Sequence, residues 1–315
     1  GCVATAMAQV MWYFRWPLEG TGYHSYVWTS GTGRQTLSVN YSQSEYDWSL
    51  MPRKYLYGQY SDEQAAAVAK LMYDCGVSVN MAYTSSVSGA YMSYVIPAMS
   101  SYFGYRQVKY KYDPDNAYDR ESLLKSELDS RRPVLVGADG ASGGHAFVCD
   151  GYDSNGYFHY NFGWGGLGNG YYLLSVAGGF PDNQEYIYNI IPNRNKLTDN
   201  GISYNRLCPD KVEVTYPDDL SRNYSGRVAI PAQVTFDTLE SDVTSIGPYA
   251  LAESDVTVLD IPASIRTIES NAFFRCSMLD TVYVHWDSPL DCETDAFDNT
   301  VYSNAVLVVP DGKAD

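Results

Sequence analysis

The apolar residues change their period at Pro133, and that switch bounds the fold of everything up to residue 192. Before it, the spacing is helical. Val3, Met7, Val10, Met11 and Phe14 lie on one stripe and predict a helix over about 2–16, stopped by Pro17. Ser61-Asp62-Glu63-Gln64 has the form of a capping box and predicts a helix over about 62–75, with Gly76 as its stop. A third helix is expected over about 93–103, with Pro97 in its first turn or at a kink, and a fourth over about 120–131, with Asp119 as N-cap. After Pro133 come short β-branched or aromatic runs at 134–136, 145–149, 157–162, 171–174 and 186–191, separated by Gly and Asn. Helices followed by an antiparallel sheet make an α+β arrangement.

The polar stretch Pro192-Asn193-Arg194-Asn195-Lys196 reads as a boundary, giving domains 1–195 and 196–315. Beyond it the chain repeats itself. Val243-Thr244-Ser245-Ile246-Gly247-Pro248-Tyr249-Ala250-Leu251 matches Ile265-Arg266-Thr267-Ile268-Glu269-Ser270-Asn271-Ala272-Phe273 at an offset of 22, and Asp295-Ala296-Phe297 echoes it. That period is in the leucine-rich-repeat range, with one short strand and one turn per repeat stacked on its neighbours.

Composition narrows the function. At 45% hydrophobic and 15% aromatic residues, the chain has enough apolar surface for packed cores. A net charge of −16 argues against nucleic-acid partners and anionic membranes. No run approaches the roughly 18 apolar residues of a membrane span. The cysteines at 2, 75, 149, 208, 276 and 292 have no metal-type spacing, and neither a metal nor another cofactor is expected. The chain begins Gly1-Cys2 and runs at once into an apolar helix, so the N-terminal part of the first domain is expected to be missing and the repeat region to be truncated.

Only His24, His145, His159 and His285 offer imidazole chemistry. His24 falls in a Tyr-rich stretch read as irregular. His145 follows Gly143-Gly144 and opens an apolar strand, where glycines let a substrate backbone approach. Cys2 opens a helix, where the macrodipole and free N–H groups favour a thiolate. Cys75 and Cys149 lie on apolar faces and suit buried structural roles. Papain-type enzymes carry a His and an Asn about 130–150 residues after the Cys; His145 is 143 after Cys2 and Asn161 is 159 after it. If 145 and 161 oppose each other across a turn centred on Asp153, Asn161 faces the same side as His145 and holds its ring. A two-residue turn at Asn155-Gly156 breaks that register, so a longer loop is required. Trp164, among glycines in Asn161-Phe162-Gly163-Trp164-Gly165-Gly166, is placed to shield the ring from water.

Gly1-Cys2-Val3-Ala4-Thr5-Ala6, Gly143-Gly144-His145-Ala146-Phe147-Val148 and the 161–166 motif together resemble the streptopain family of bacterial cysteine proteases, as do segments 72–79 and 102–105. The likeness covers about 1–192. It implies a papain-like fold, endopeptidase activity on protein or peptide substrates, an inhibitory propeptide, and secretion or a bacterial surface location. It matches Cys2 to the family nucleophile, His145 to the base and Trp164 to an active-site tryptophan. It also places Ser88 and Gly144 as substrate contacts. Phe162 departs from the usual Trp. The region from about Lys211 resembles BspA-like leucine-rich repeats, which implies a surface binding role without naming a ligand. The expected chemistry is acyl transfer, with Cys2 attacking, His145 shuttling the proton and the Cys2 N–H as one oxyanion donor; a side-chain donor is expected upstream of Gly1. The rival readings are a catalytically degenerate adhesion protein and a Cys–His transferase such as a transglutaminase.

Overall fold

The computed structural model describes residues 1–312 other than 31–32, 56–57, 85–86, 113–116, 194–195, 221–222, 237 and 291. Helix α1, Cys2–Phe14, has Val3, Met7, Val10 and Met11 fully buried, because it lies inside the fold. Arg15 closes it in the left-handed conformation at φ 50°, returning its amide to the Trp12 carbonyl, so the helix ends two residues before the expected limit. Strands β1, Tyr23–Ser30, and β2, Gly33–Asn40, form a hairpin. The stretch around His24 is therefore a strand; little of it is buried, so it carries no clear apolar alternation.

Helix α2, Asp62–Ser78, starts on the expected capping box but runs through Gly76. A Cβ at Gly76 would lie 1.9 Å from the Tyr83 hydroxyl, so this glycine makes room for a side chain rather than ending a helix. The two-residue strands β3, Ala82–Tyr83, and β4, Ser88–Gly89, pair. Helix α3, Val95–Ser101, holds Pro97 in its first turn. After β5, Tyr105–Arg106, and β6, Lys109–Tyr112, comes α4, Ala117–Asp129; it starts before Asp119, which lies in the first turn instead of capping.

Strands β7, Val134–Gly140, β8, Gly143–Tyr152, β9, Tyr157–Asn161, β10, Gly170–Leu173, and β11, Asp182–Tyr188, join β6 in one sheet of order β10-β9-β8-β7-β11-β6. All its pairs are antiparallel. Val134, Val136, Phe147, Phe158 and Tyr160 form the core of this sheet, and α1 lies on β8 and β7. Strand β12, Ile191–Pro192, returns to β5. This is the α+β architecture expected, in a unit spanning Gly1–Asn193.

The second unit, Arg194–Asp315, is built on stacked strands. The chain change falls inside the polar stretch, of which 194 and 195 lie outside the described residues. Strands β13, Leu197–Asp199, β14, Ile202–Cys208, and β15, Lys211–Thr215, run antiparallel. They are followed by β16, Ser225–Ala229, β17, Gln233–Phe236, β18, Leu239–Ile246, β19, Asp255–Ile261, β20, Thr267–Ile268, β21, Thr281–Val284, the short helix α5, Asn299–Asn304, and β22, Val306–Val308. Parallel pairing links β15-β18-β20 and β16-β19-β21-β22. Ser245 opposes Thr267 and Ile246 opposes Ile268, which is the offset of 22 seen in the sequence. Ala250, Ala272 and Ala296 are fully buried, and the Phe273 and Phe297 rings stack at 4.5 Å. The repeat is thus a β-rich solenoid with a core of its own.

Candidate active site

Cys2 is the first residue of α1, after an N-cap Gly1 that supplies no side-chain bond, and the first turn holds no acidic residue. The positive end of the helix therefore acts on the half-buried thiol without a neutralising carboxylate. Burial pushes the Cys75 and Cys149 thiols well up, and that of Cys276 up as well, which keeps them protonated and inert. None of the six cysteines forms a disulfide.

His145 lies on β8, beneath α1. Four aromatic rings surround it: Trp164 stacks at 4.6 Å, with Phe180 at 5.3 Å, Phe147 at 5.8 Å and Phe162 at 6.2 Å. This enclosure lowers the imidazole pKa by desolvation, opposed by a hydrogen bond to the Phe162 backbone. The bond joins Nε2 to the Phe162 carbonyl at 2.9 Å. A carbonyl only accepts, so Nε2 carries the proton and the neutral ring keeps Nδ1 as its acceptor. Trp164, 48% exposed, roofs the ring on the solvent side.

Asn161 does not hold this ring. Its Oδ1 accepts from Gly163 N–H and from Gln9 Nε2, both at 3.0 Å. The cause is a β-bulge. Near the turn Tyr152 opposes Phe158 and Gly151 opposes His159, but after the extra residue Asp150, Cys149 opposes Tyr160 and Val148 opposes Asn161. Without the bulge Asn161 would face Cys149, on the side of Phe147 and His145. With it, Asn161 shares the side of Val148, and Tyr160 and Phe162 turn toward Phe147 instead. The expected turn centre at Asp153 is corrected by the same register.

The group that orients His145 is the backbone carbonyl of Phe162, which sequence reasoning missed, since a carbonyl has no sequence signature. Phe180 is the other missed element. Its carbonyl, with that of Leu174, is held by the buried Gln184 amide. Gly178 lies so close to Phe162 that a Cβ would stand 2.3 Å from the ring. Of the remaining histidines, His24 bonds Asn80, His159 bonds Asp150 and His285 bonds Asp260.

Ser88, on β4, has its carbonyl against Gly1, where a Cβ would lie 2.8 Å away, so the predicted substrate segment borders the residue that precedes Cys2. Residues 85 and 86 of that segment lie outside the described residues. Gly144 immediately precedes His145 on β8, opposite Asp139. Among the described residues no group of His, Cys, Asp or Glu forms a metal cluster, and no helix is long and apolar enough to cross a membrane.

A helix that opens on cysteine, laid over an antiparallel sheet that carries a desolvated histidine, is the architecture of the papain-like cysteine proteases. The chain belongs to the Peptidase C10 family, which it matches over residues 1–172. It is 36% identical over 260 residues to the thiol protease/hemagglutinin PrtT of Porphyromonas gingivalis, covering 75% of this chain and 29% of that protein. It is 34% identical over 209 residues to streptopain of Streptococcus pyogenes, covering 61% of this chain and 52% of that one. The chain therefore spans about half or less of the length of these curated relatives. The active wild-type interpain A cysteine protease of Prevotella intermedia superposes with a TM-score of 0.55 at 35% identity, over 59% of this chain and 81% of that one. Its prointerpain A fragment gives the same TM-score at 33% identity, over 62% and 64%.

Proposed function

We propose that this protein is a secreted cysteine endopeptidase, made as an inhibited proenzyme, with Cys2 as nucleophile and His145 as general base and acid. The observation that carries the reading is the ring state of His145: Nε2–H is committed to the Phe162 carbonyl, so Nδ1 is the basic atom. The Cys2 proton passes to Nδ1, and the thiolate attacks the scissile carbonyl carbon. Its oxygen takes the electron pair, stabilised by the Cys2 backbone N–H. On collapse the C–N bond breaks and the leaving amine takes the proton from Nδ1. Water then attacks the thioester, giving a proton to Nδ1, which returns it to the sulfur as the acid leaves. Trp164 keeps water from the Nε2 bond, and Ser88 and Gly144 flank the substrate backbone. The family membership and the prointerpain relative support both the activity and the proenzyme.

The test is turnover of short peptides by the processed full-length enzyme, with iodoacetamide labelling in parallel. Cys2 should alkylate far faster than the other five cysteines. His145→Ala should abolish turnover and His159→Ala should not, because His159 points to the face opposite His145 and is held by Asp150. Even labelling of all six thiols, or loss of activity only in His159→Ala, overturns the assignment.

A further inference from the structure

Cys2, Thr5 and Gln9 recur at i, i+3 and i+7, so they share one face of α1. The turn 161–163 sits against that face. Gly163, at φ +72°, approaches so closely that a Cβ would lie 2.8 Å from Thr5 Cγ2 and 3.9 Å from Gln9 Nε2. Within the turn, Gly163 N–H can only donate, which fixes Oδ1 as the atom Asn161 turns inward. Gln9 must then present its Nε2, donating to the same oxygen at 3.0 Å. The residue between Asn161 and Gly163 is Phe162, whose N–H is held by Asn169 Oδ1 at 3.0 Å and whose carbonyl orients His145. One helix thus carries the nucleophile at its first residue and grips, two turns later, the loop that aims the base. The other amide atom of Gln9, Oε1, is buried with no hydrogen-bond partner among the described residues.

We propose that Gln9 is a positioning residue: through Asn161 and the Phe162 carbonyl it fixes the His145 ring relative to Cys2. The inference rests on the peptidase reading above. Asn161 is then also a positioning residue, acting through the turn rather than by touching the imidazole.

The experiment measures kcat and KM on a short peptide with the processed full-length enzyme, normalised to thiols titrated by an active-site-directed reagent. Gln9→Met keeps the length and volume of the side chain without the donor, and Gln9→Leu is its second variant. Both should lower kcat about 10- to 100-fold with KM within about twofold, because the loss is one of alignment rather than binding. Asn161→Ala should do the same, and the double variant Gln9→Met/Asn161→Ala should be no worse than the poorer single one, since both break one link. Asn161→Asp should recover most of the activity lost in Asn161→Ala, because a carboxylate oxygen accepts both bonds. A kcat within twofold of wild type in Gln9→Met, multiplicative losses in the double variant, or no recovery in Asn161→Asp overturns the Gln9 role and leaves the peptidase reading standing. Wild-type enzyme without turnover, or His145→Ala with turnover, sinks that reading and the Gln9 role with it.

Discussion

Replacing Gly163 by alanine tests how tightly the His145-orienting turn is pressed onto α1, the helix that opens on Cys2. Gly163 and Gly165 have nearly the same backbone, φ +72° and +65°, but differ in space: a Cβ at Gly163 meets Thr5 Cγ2 at 2.8 Å, whereas nothing lies within 4 Å at Gly165. Alanine at either site bears the left-handed penalty of about 1–2 kcal/mol. At Gly163 the turn must also retreat by several tenths of an ångström to reach an ordinary 3.4 Å contact. Thr5 cannot easily yield, since it is β-branched and its hydroxyl is bonded to the Gly1 carbonyl. Overpacking of this kind adds about 1–3 kcal/mol. Because the Phe162 carbonyl moves with the turn, kcat should fall by about tenfold or more, in line with the roughly hundredfold cost of a 1 Å misplacement. Gly165→Ala should leave kcat nearly unchanged. Adding Thr5→Ser, which deletes Cγ2 and keeps the hydroxyl, should restore much of the activity of Gly163→Ala. The assays are urea unfolding and kcat per titrated thiol. Equal stability and equal kcat in Gly163→Ala and Gly165→Ala would refute the close packing as the controlling feature.

Trp164→Ala, made in a Cys2→Ala background to remove the thiol, should raise the His145 pKa toward its ordinary value, because desolvation is what lowers it; an NMR titration showing no rise counts against the indole as the shield. The His159 pKa is raised by its hydrogen bond to Asp150. The stability this pair contributes is therefore fully present below the unfolded value near 6.5 and is lost as pH rises through the folded value. Melting temperatures of wild type and His159→Ala should converge as pH is taken from 5 to 8, and a gap that widens with pH contradicts the pairing. Residues 194–315, expressed alone, should unfold in one cooperative step, given a core that includes Val243, Ile246, Leu259, Ile268 and Phe273; a non-cooperative melt shows that the unit does not stand by itself.

Some of this protein is written in local sequence. The capping box of α2, the Pro97 turn of α3 and the 22-residue spacing each depend on residues close in the chain or repeated in it, and each appears where the sequence puts it. The places of Cys2 at a helix start and of His145 on a glycine-flanked strand were legible for a similar reason, since both are local signals. The limits of elements were less legible where a tertiary neighbour overrode the signal, as Tyr83 does at Gly76. The orientation of His145 belonged to the tertiary structure alone. One extra residue, Asp150, reverses which side of the sheet Asn161 faces, and nothing short of the strand pairing shows where that residue is absorbed. The ring is then held by the Phe162 carbonyl, a group every residue possesses, so only its placement, gripped between α1 and β8, gives it a role.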